Sequence, residues 1–308
     1  MKKVIFYIDY EWALGTIHAE LTKQLFARGI NSYILPWDKN YTREELLEMN
    51  DACDLIMTTP HGYIRMREAT GYQIPQNRFA VVAHATVELV DWKNYHRIDE
   101  CQAVHSFGVV SNFLRDQSQL LGFPKMPTVC MPGINFDSFR APIRSRLQTV
   151  GYGSTFWERN SLPECYANQP AAYKRGYLAK EAAAAAGLNF RIAQKYHNSY
   201  VTMPGYYRNV DCVIMCSSEE GAGMPVVEAG AAGCLVISTP VGHCADRAGT
   251  RGADFVPIEE MACLEQMTDL LRFYASDAAA YQRRCSEIQE HARTYDWTHT
   301  IDSWISLL

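Results

Sequence analysis

Two acidic residues flank a run of glycines in SSEEGAGMPVVEAGAAGCLVISTPVG (217–242), and their spacing is the strongest chemical signal in the chain. The stretch reads as a strand, a glycine loop, a helix and another strand. Pro225 suits a first helical turn, where its missing N–H costs nothing. Gly221 and Gly223 let the loop backbone approach a ligand closely. The amides of Ala222, Gly223 and Met224 would then point outward at the helix N-terminus, where backbone donors and the helix dipole favour an anion. Glu220 precedes the loop and Glu228 lies about one turn into the helix, so both carboxylates can line one crevice. Amides hold phosphate oxygens and carboxylates accept from hydroxyls, so the pattern fits a ligand carrying both groups. The competing reading is an ordinary helix start with acidic residues near its positive end. Gly230 and Gly233 weigh against it: a glycine inside a helix costs about 1 kcal/mol relative to alanine, which implies close packing there.

A loop of this kind needs strands and helices to hold it, and the chain alternates them. VIFYIDY (4–10) is a β-rich run, followed by a loop through Gly15 and a helix over 16–29 with Ile17, Leu21 and Leu25 on one stripe, closing on Gly29. NSYILPW (31–37) is a second strand. TREELLEMN (42–50) is a short helix with Thr42 as N-cap and Glu45 three residues on. DLIMTTP (54–60) and RFAVVAHAT (78–86) follow as apolar runs. Continuous apolar strands separated by helices predict a parallel sheet covered on both faces. MPGINFDSFRAPIRSR (131–146) interrupts the pattern as a linker, and alternation restarts with RLQTVGYGS (146–154), KEAAAAAG (180–187), NFRIAQ (189–194), VDCVIMC (210–216) and CLVISTPVG (234–242). Residues 156–173 have no period and read as a loop or insertion, while 287–308 reads as an amphipathic helix. The expected fold class is α/β, two Rossmann-like domains whose tandem open sheets place ligands between them, outside the carboxyl ends of the strands.

Composition supports this and removes other classes. The chain has 308 residues, with 48% hydrophobic and 20% charged, enough for two domains that bury about three quarters of their unfolded surface without staples. No apolar run approaches the roughly 20 residues of a membrane span. The N-terminal MKKVIFYIDYEWALG imitates a signal peptide only as far as Asp9. A cytoplasmic, soluble protein is expected. Net charge is −5 and neither half of the chain is basic, so bulk electrostatic capture of nucleic acid is not indicated. FRAPIRSR (139–146) is the one cationic run and reads as a solvated linker. Ten cysteines occur without a CxxC pair or zinc spacing, which points to core packing in a reducing compartment.

The 217–242 segment resembles the hallmark of retaining GT-B glycosyltransferases of family 4, in which two glutamates are separated by seven residues; Glu220 and Glu228 have that spacing. EAGAAG and CLVISTPVG agree position by position. YYRNVDCVIMCSSEEG (206–221) resembles the strand leading in, VCMPGINFDSF (129–139) the interdomain segment, and VVAHAT (81–86) and FGVVSNFLRD (107–116) N-domain strands. The terminal YDW and helix resemble the closing helix of that family. The resemblance implies a GT-B fold with a deep interdomain cleft: an acceptor-binding domain 1–138, a nucleotide-sugar-binding domain 139–292, and a helix 293–308 crossing back.

By the same resemblance, Glu220 contacts hydroxyls of the donor sugar and Glu228 holds the nucleotide ribose. Backbone around Gly221, Ala222, Gly223, Met224, Pro225 and Val226 meets the donor. His84 sits beside the donor sugar, and Gly15 lies in the loop brought near the reacting centre. Three departures stand out. The first C-domain strand ends VGYGS without the usual arginine, so the cations for the diphosphate fall to Lys174 and Arg175, with Arg159 as a third candidate. The loop at Gly15 has one glycine rather than two, and the linker reads Pro-Gly without asparagine.

The implied activity is transfer of a sugar from a UDP- or GDP-sugar to an acceptor hydroxyl with retention, in glycan or polysaccharide synthesis. No cofactor and no metal is expected. Asp9-Tyr10-Glu11 imitates a metal motif but reads as a strand-end loop. A carbohydrate or lipid-linked acceptor leads, with a modified base in nucleic acid second, and peripheral membrane contact stays open. The acceptor site is expected around Trp12, His61–Met66 and Trp92. Rival readings are a nucleotide-sugar epimerase of GT-B shape and a non-catalytic nucleotide-sugar or glycan-binding scaffold. A nicotinamide-dependent dehydrogenase lacks its GxGxxG after the first strand.

Overall fold

Described here are residues 2–9, 13–95, 98–159, 173–193, 201–246 and 252–308 of a computed structural model. The chain divides into two units, Met1–Gly133 with Trp297–Leu308, and Ile134–Asp296. The sequence reading places the boundaries a few residues away, at 138/139 and 292/293. The division falls where it does because Ile134 forms a parallel bridge with Asp296 and its N–H donates to the Tyr295 carbonyl at 2.9 Å, while the Phe136 N–H donates to the Asp296 carboxylate at 3.0 Å.

The N-terminal unit holds a six-stranded sheet in the order β2-β1-β3-β4-β5-β6. Its strands are β1 (Lys3–Ile8), β2 (Asn31–Pro36), β3 (Leu55–Thr58), β4 (Phe79–Ala83), β5 (Ser106–Val109) and β6 (Thr128–Val129). All pairings are parallel, with Val4 opposite Ser32 on one side and Leu55 on the other. β3 and β4 are buried along their whole length, as strands covered on both faces must be. The helix after β1 spans Ala13–Phe26, three residues earlier than the spacing predicts. Leu14 continues the stripe of Ile17, Leu21 and Leu25, so Gly15 lies buried in the first turn of a helix and not in a loop. The capping box at Thr42 and Glu45 is present in both directions.

Trp92 is fully buried in helix Thr86–Asn94, with its ring 5.3 Å from that of Phe107 and 5.6 Å from those of Tyr63 and Phe123. It is core, which removes it from the acceptor loops. Of His61–Met66, helix Pro60–Ala69 buries Gly62, Tyr63, Ile64 and Met66 and leaves His61 and Arg65 accessible. Trp12, Tyr10 and Glu11 fall outside the described residues, as does most of 156–173.

Helix Trp297–Ile305 belongs to the N-terminal unit. Its Trp304 indole donates to the Met131 carbonyl at 3.0 Å, and the Ser106 hydroxyl donates to the Leu307 carbonyl at 2.6 Å. Gly133 lies so close that a Cβ there would stand 2.6 Å from Trp297. Gly133→Ala is therefore expected to cost about 1–3 kcal/mol through overpacking, read as a lower urea midpoint.

The second unit holds a five-stranded parallel sheet, β11-β10-β9-β7-β8. Its strands are β7 (Thr149–Tyr152), β8 (Asn189–Ile192), β9 (Cys212–Met215), β10 (Leu235–Ser238) and β11 (Asp254–Phe255). The strand order reverses between β7 and β9, which is where an open parallel sheet presents a ligand crevice at its carboxyl ends. The nine described cysteines are all buried, and none is paired in a disulfide with another described cysteine.

Candidate active site

The carboxyl ends of β7 and β9 bring together the segments 173–176 and 216–228. The Ser218 N–H donates to the Tyr173 carbonyl at 2.8 Å and joins the two segments directly, while the Tyr152 hydroxyl donates to the Lys174 carbonyl at 2.9 Å and the Thr239 hydroxyl to the Ser217 carbonyl at 2.5 Å, holding each segment from its strand end. Helix Met224–Ala231 then begins without a capping side chain, because its N-cap is Gly223 in the left-handed region (φ 74°). Pro225 stands in the first turn. A glycine N-cap brings no side chain to the first turn; Pro225 has no N–H and the Val226 N–H bonds to the Gly223 carbonyl, so of the first three helix residues Met224 is the one with an N–H to offer a ligand. The helix ends in a Schellman motif, with the Cys234 N–H on the Ala229 carbonyl and the Gly233 N–H on the Gly230 carbonyl. Gly233 (φ 71°) is therefore the stop and not an interior glycine. Gly230 is the packing glycine: a Cβ there would stand 3.1 Å from Ile288 and 3.3 Å from Ala292 in helix Ala278–Ala292.

Lys174 and Glu220 form the centre of the site. The Lys174 ammonium donates to both Glu220 oxygens at 2.6 Å, and the Ser217 hydroxyl donates to Oε1 at 2.7 Å. Arg175 goes elsewhere. Its backbone is left-handed (φ 49°), an uncommon state for a non-glycine residue, and this turns adjacent side chains apart. The buried Arg175 guanidinium donates to the Cys216 carbonyl at 2.7 Å and the Ile258 carbonyl at 2.6 Å. It is a brace between loops, a correction to its expected place on a diphosphate. Arg159 is likewise engaged, by Glu181 at 2.9 Å, by Glu260, and over the Tyr177 ring. Arg175→Met is expected to lower unfolding free energy by about 2–4 kcal/mol, because two buried carbonyls lose a charged donor. Urea unfolding measures this.

Glu228 is buried, and the fully buried Tyr207 hydroxyl donates to its Oε2 at 2.8 Å. Burial pushes the Glu228 carboxyl up to about 7, against the lowering effect of the Tyr207 bond. Gly221, Ala222, Met224 and Pro225 are partly exposed, and Gly223 is buried. Val226 is buried; its N–H bonds to the Gly223 carbonyl at 3.1 Å, and it lines a pocket with Val227, Ile288 and Tyr295.

His84 and Gly15 belong to the N-terminal unit. His84 follows β4, and its main-chain N–H donates to Glu88 at 2.5 Å. Its ring centroid lies 5.5 Å from that of His18 and 6.2 Å from that of Trp304, and its buried Nε2 has no partner among the described residues. Burial, and then the neighbouring His18, hold its pKa well below the ordinary histidine value. Ser217 is a site residue that reading by motif misses, although it lies three positions before Glu220. Tyr207 is another, and only the path through β9 brings it to Glu228. Among the described residues no group of three or more His, Cys, Asp or Glu side chains is placed to hold a metal ion, and no helix is long and apolar enough to cross a membrane.

Two parallel-sheet α/β units of this kind define the GT-B fold class. Residues 174–272 match the family model described as glycosyl transferases group 1, and over that segment the chain carries the sequence pattern of that family. In fold, the chain is similar to HepE from Anabaena, determined with UDP-glucose, at 13% identity and TM-score 0.66 with 100% of both chains covered. It is also similar to sucrose-phosphate synthase from Thermosynechococcus elongatus, at 12% identity and TM-score 0.67, covering 100% of this chain and 98% of that one. A glycosyltransferase from Rickettsia africae ESF-5 has 17% identity and TM-score 0.64, with 99% and 97% covered. No curated protein sequence matches the chain.

Proposed function

We propose that the protein transfers a sugar from a nucleotide sugar, with UDP as the leading nucleotide, to an acceptor hydroxyl with retention at the anomeric carbon. The observation that carries this is the set Lys174, Glu220 and Glu228 around an uncapped helix N-terminus. The group 1 family match over this same stretch and the UDP-glucose bound to the structurally similar HepE support it.

In this reading the helix amides and Lys174 take the diphosphate, Glu220 accepts from sugar hydroxyls, and Glu228 accepts from the ribose. The bond from the anomeric carbon to the phosphate oxygen breaks with its electron pair leaving on the diphosphate. The acceptor oxygen attacks from the same face and its proton passes to the departing phosphate oxygen. Charge builds on the diphosphate as the bond breaks, and Lys174 with the amides stabilises it there, so the scheme requires no metal. The acceptor in this reading is a carbohydrate or lipid-linked hydroxyl, and the process is synthesis of a glycan.

Calorimetry with UDP, GDP, ADP and their common sugars, each with and without EDTA, tests the donor. Micromolar binding of one uridine ligand, unchanged by EDTA, is the expected result. Absence of binding to all the nucleotides and all their sugars would overturn the reading.

A further inference from the structure

The cation and the carboxylate that a nucleotide sugar needs are bound to each other. Lys174 reaches both oxygens of Glu220 at 2.6 Å, and the pair is largely shielded, with Lys174 24% and Glu220 11% exposed. Neither partner arrives there by chance of a long side chain. The Lys174 carbonyl is held by the Tyr152 hydroxyl at 2.9 Å, and the next residue is fixed in a left-handed conformation by its own buried guanidinium. Glu220 is anchored from the other side by the Ser217 hydroxyl at 2.7 Å. The loop around Glu220 is also packed, since a Cβ at Gly242 would stand 2.8 Å from the Ala222 carbonyl and 3.2 Å from the Glu220 Cβ. The pair is thus part of the built loop.

A diphosphate that enters must draw Lys174 away from Glu220. The cost of that exchange depends on whether a sugar is attached. Free nucleoside diphosphate takes the cation and gives the carboxylate nothing, leaving a mostly buried anion with the Ser217 hydroxyl as its remaining side-chain donor; an unpaired charge in such a place is costly. An intact nucleotide sugar takes the same cation but brings hydroxyls that donate to the vacated oxygens. We propose that the Lys174–Glu220 ion pair is a selectivity device that favours the intact nucleotide sugar over the spent nucleoside diphosphate. It rests on the donor reading above and adds a role for Glu220 that the reading does not contain, opposition to product binding. After transfer the sugar hydroxyls leave with the product, Glu220 recovers Lys174, and the diphosphate is expelled.

The test is calorimetry of the full chain with UDP and with UDP-glucose, for the wild type, Glu220→Gln, Lys174→Met and the double variant. Glutamine keeps an acceptor for Ser217 but no charge for Lys174. UDP is expected to bind Glu220→Gln on the order of fivefold more tightly than the wild type, the scale of one partly shielded ion pair. UDP-glucose should not gain, so the preference for intact donor shrinks. In the Lys174→Met background the added Glu220→Gln change should leave UDP affinity unaltered. Unchanged or weaker UDP binding by Glu220→Gln, or an equal gain without Lys174, would overturn the proposal while leaving the donor reading standing. Failure of the wild type to bind either ligand would overturn the donor reading itself, and the proposal with it. Should Glu220→Gln unfold, Ser217→Ala removes the donor that remains to Glu220 once Lys174 is drawn away; UDP binding should then weaken while UDP-glucose, whose hydroxyls reach the same oxygens, loses less, and equal or no change for the two ligands would count against the pair.

Discussion

Lys174→Ala is expected to lower kcat/KM for the nucleotide sugar by about 100- to 1000-fold, the usual loss when one preorganised donor to developing charge is removed. The ammonium would meet the diphosphate as the anomeric bond breaks, so most of the loss should appear in kcat. Urea unfolding of the variant should change less than for Arg175→Met: Glu220 loses its cation but keeps the Ser217 hydroxyl, whereas Arg175 is buried among carbonyls that have no other charged donor among the described residues. Lys174→Arg keeps the charge but changes its shape and reach, so it should recover part of the rate. Steady-state kinetics with the donor varied makes the comparison. Equal activity of Lys174→Ala and wild type would remove Lys174 from the site.

That contrast between two adjacent cations marks the limit of what the sequence discloses. The residue types at 174 and 175 announce a charged pair near a helix start, and nothing in their spacing says which faces a ligand. The left-handed backbone at Arg175 decides it, and a positive φ at an arginine has no sequence signature. Glu220 and Glu228 are legible because both lie on one local motif. Their partners divide: Ser217 is three residues from Glu220, whereas Tyr207 reaches Glu228 only because β9 passes between them and a chain reversal returns the motif helix.

The fold was legible wherever burial on both faces writes an uninterrupted apolar run, as in β3, β4, β9 and β10. Two-residue strands such as β6 and β11 leave no such run, and only the neighbouring strand defines them. Local polarity misleads at Trp92, which sits among Asp91, Lys93 and Asn94. Its place three residues after Leu89 puts it on the buried side of its helix, which is the stronger indicator. The same spacing argument applied to Leu14 would have started the first helix early enough to include Gly15.

Glu228 is expected to give opposite pH responses in stability and in binding. Its carboxyl is pushed up to about 7 by burial, from an ordinary value of 4.5. The folded protein therefore holds this proton more tightly than the unfolded chain does. The stabilising contribution is full below pH 4.5 and is lost as pH rises to about 7. The amount is on the order of 3 kcal/mol. Glu228→Gln should thus raise the urea midpoint at pH 8 and change it little at pH 4. Nucleotide binding should run the other way. The ionised carboxylate is the better acceptor for ribose hydroxyls, so the wild-type affinity for UDP-glucose, whose diphosphate does not titrate in this range, should climb between pH 6 and about 7.5 and then level. Glu228→Gln should bind UDP-glucose about 10- to 100-fold more weakly at pH 8, the worth of hydrogen bonds to a charged acceptor, and should lose the pH dependence. Tyr207→Phe removes the bond that pulls the carboxyl pKa down, so it should move the rise in affinity to higher pH without abolishing it. Calorimetric titration of the three proteins across this range separates the roles. A flat wild-type profile would mean that Glu228 is a buried structural acid and that the ribose is held elsewhere.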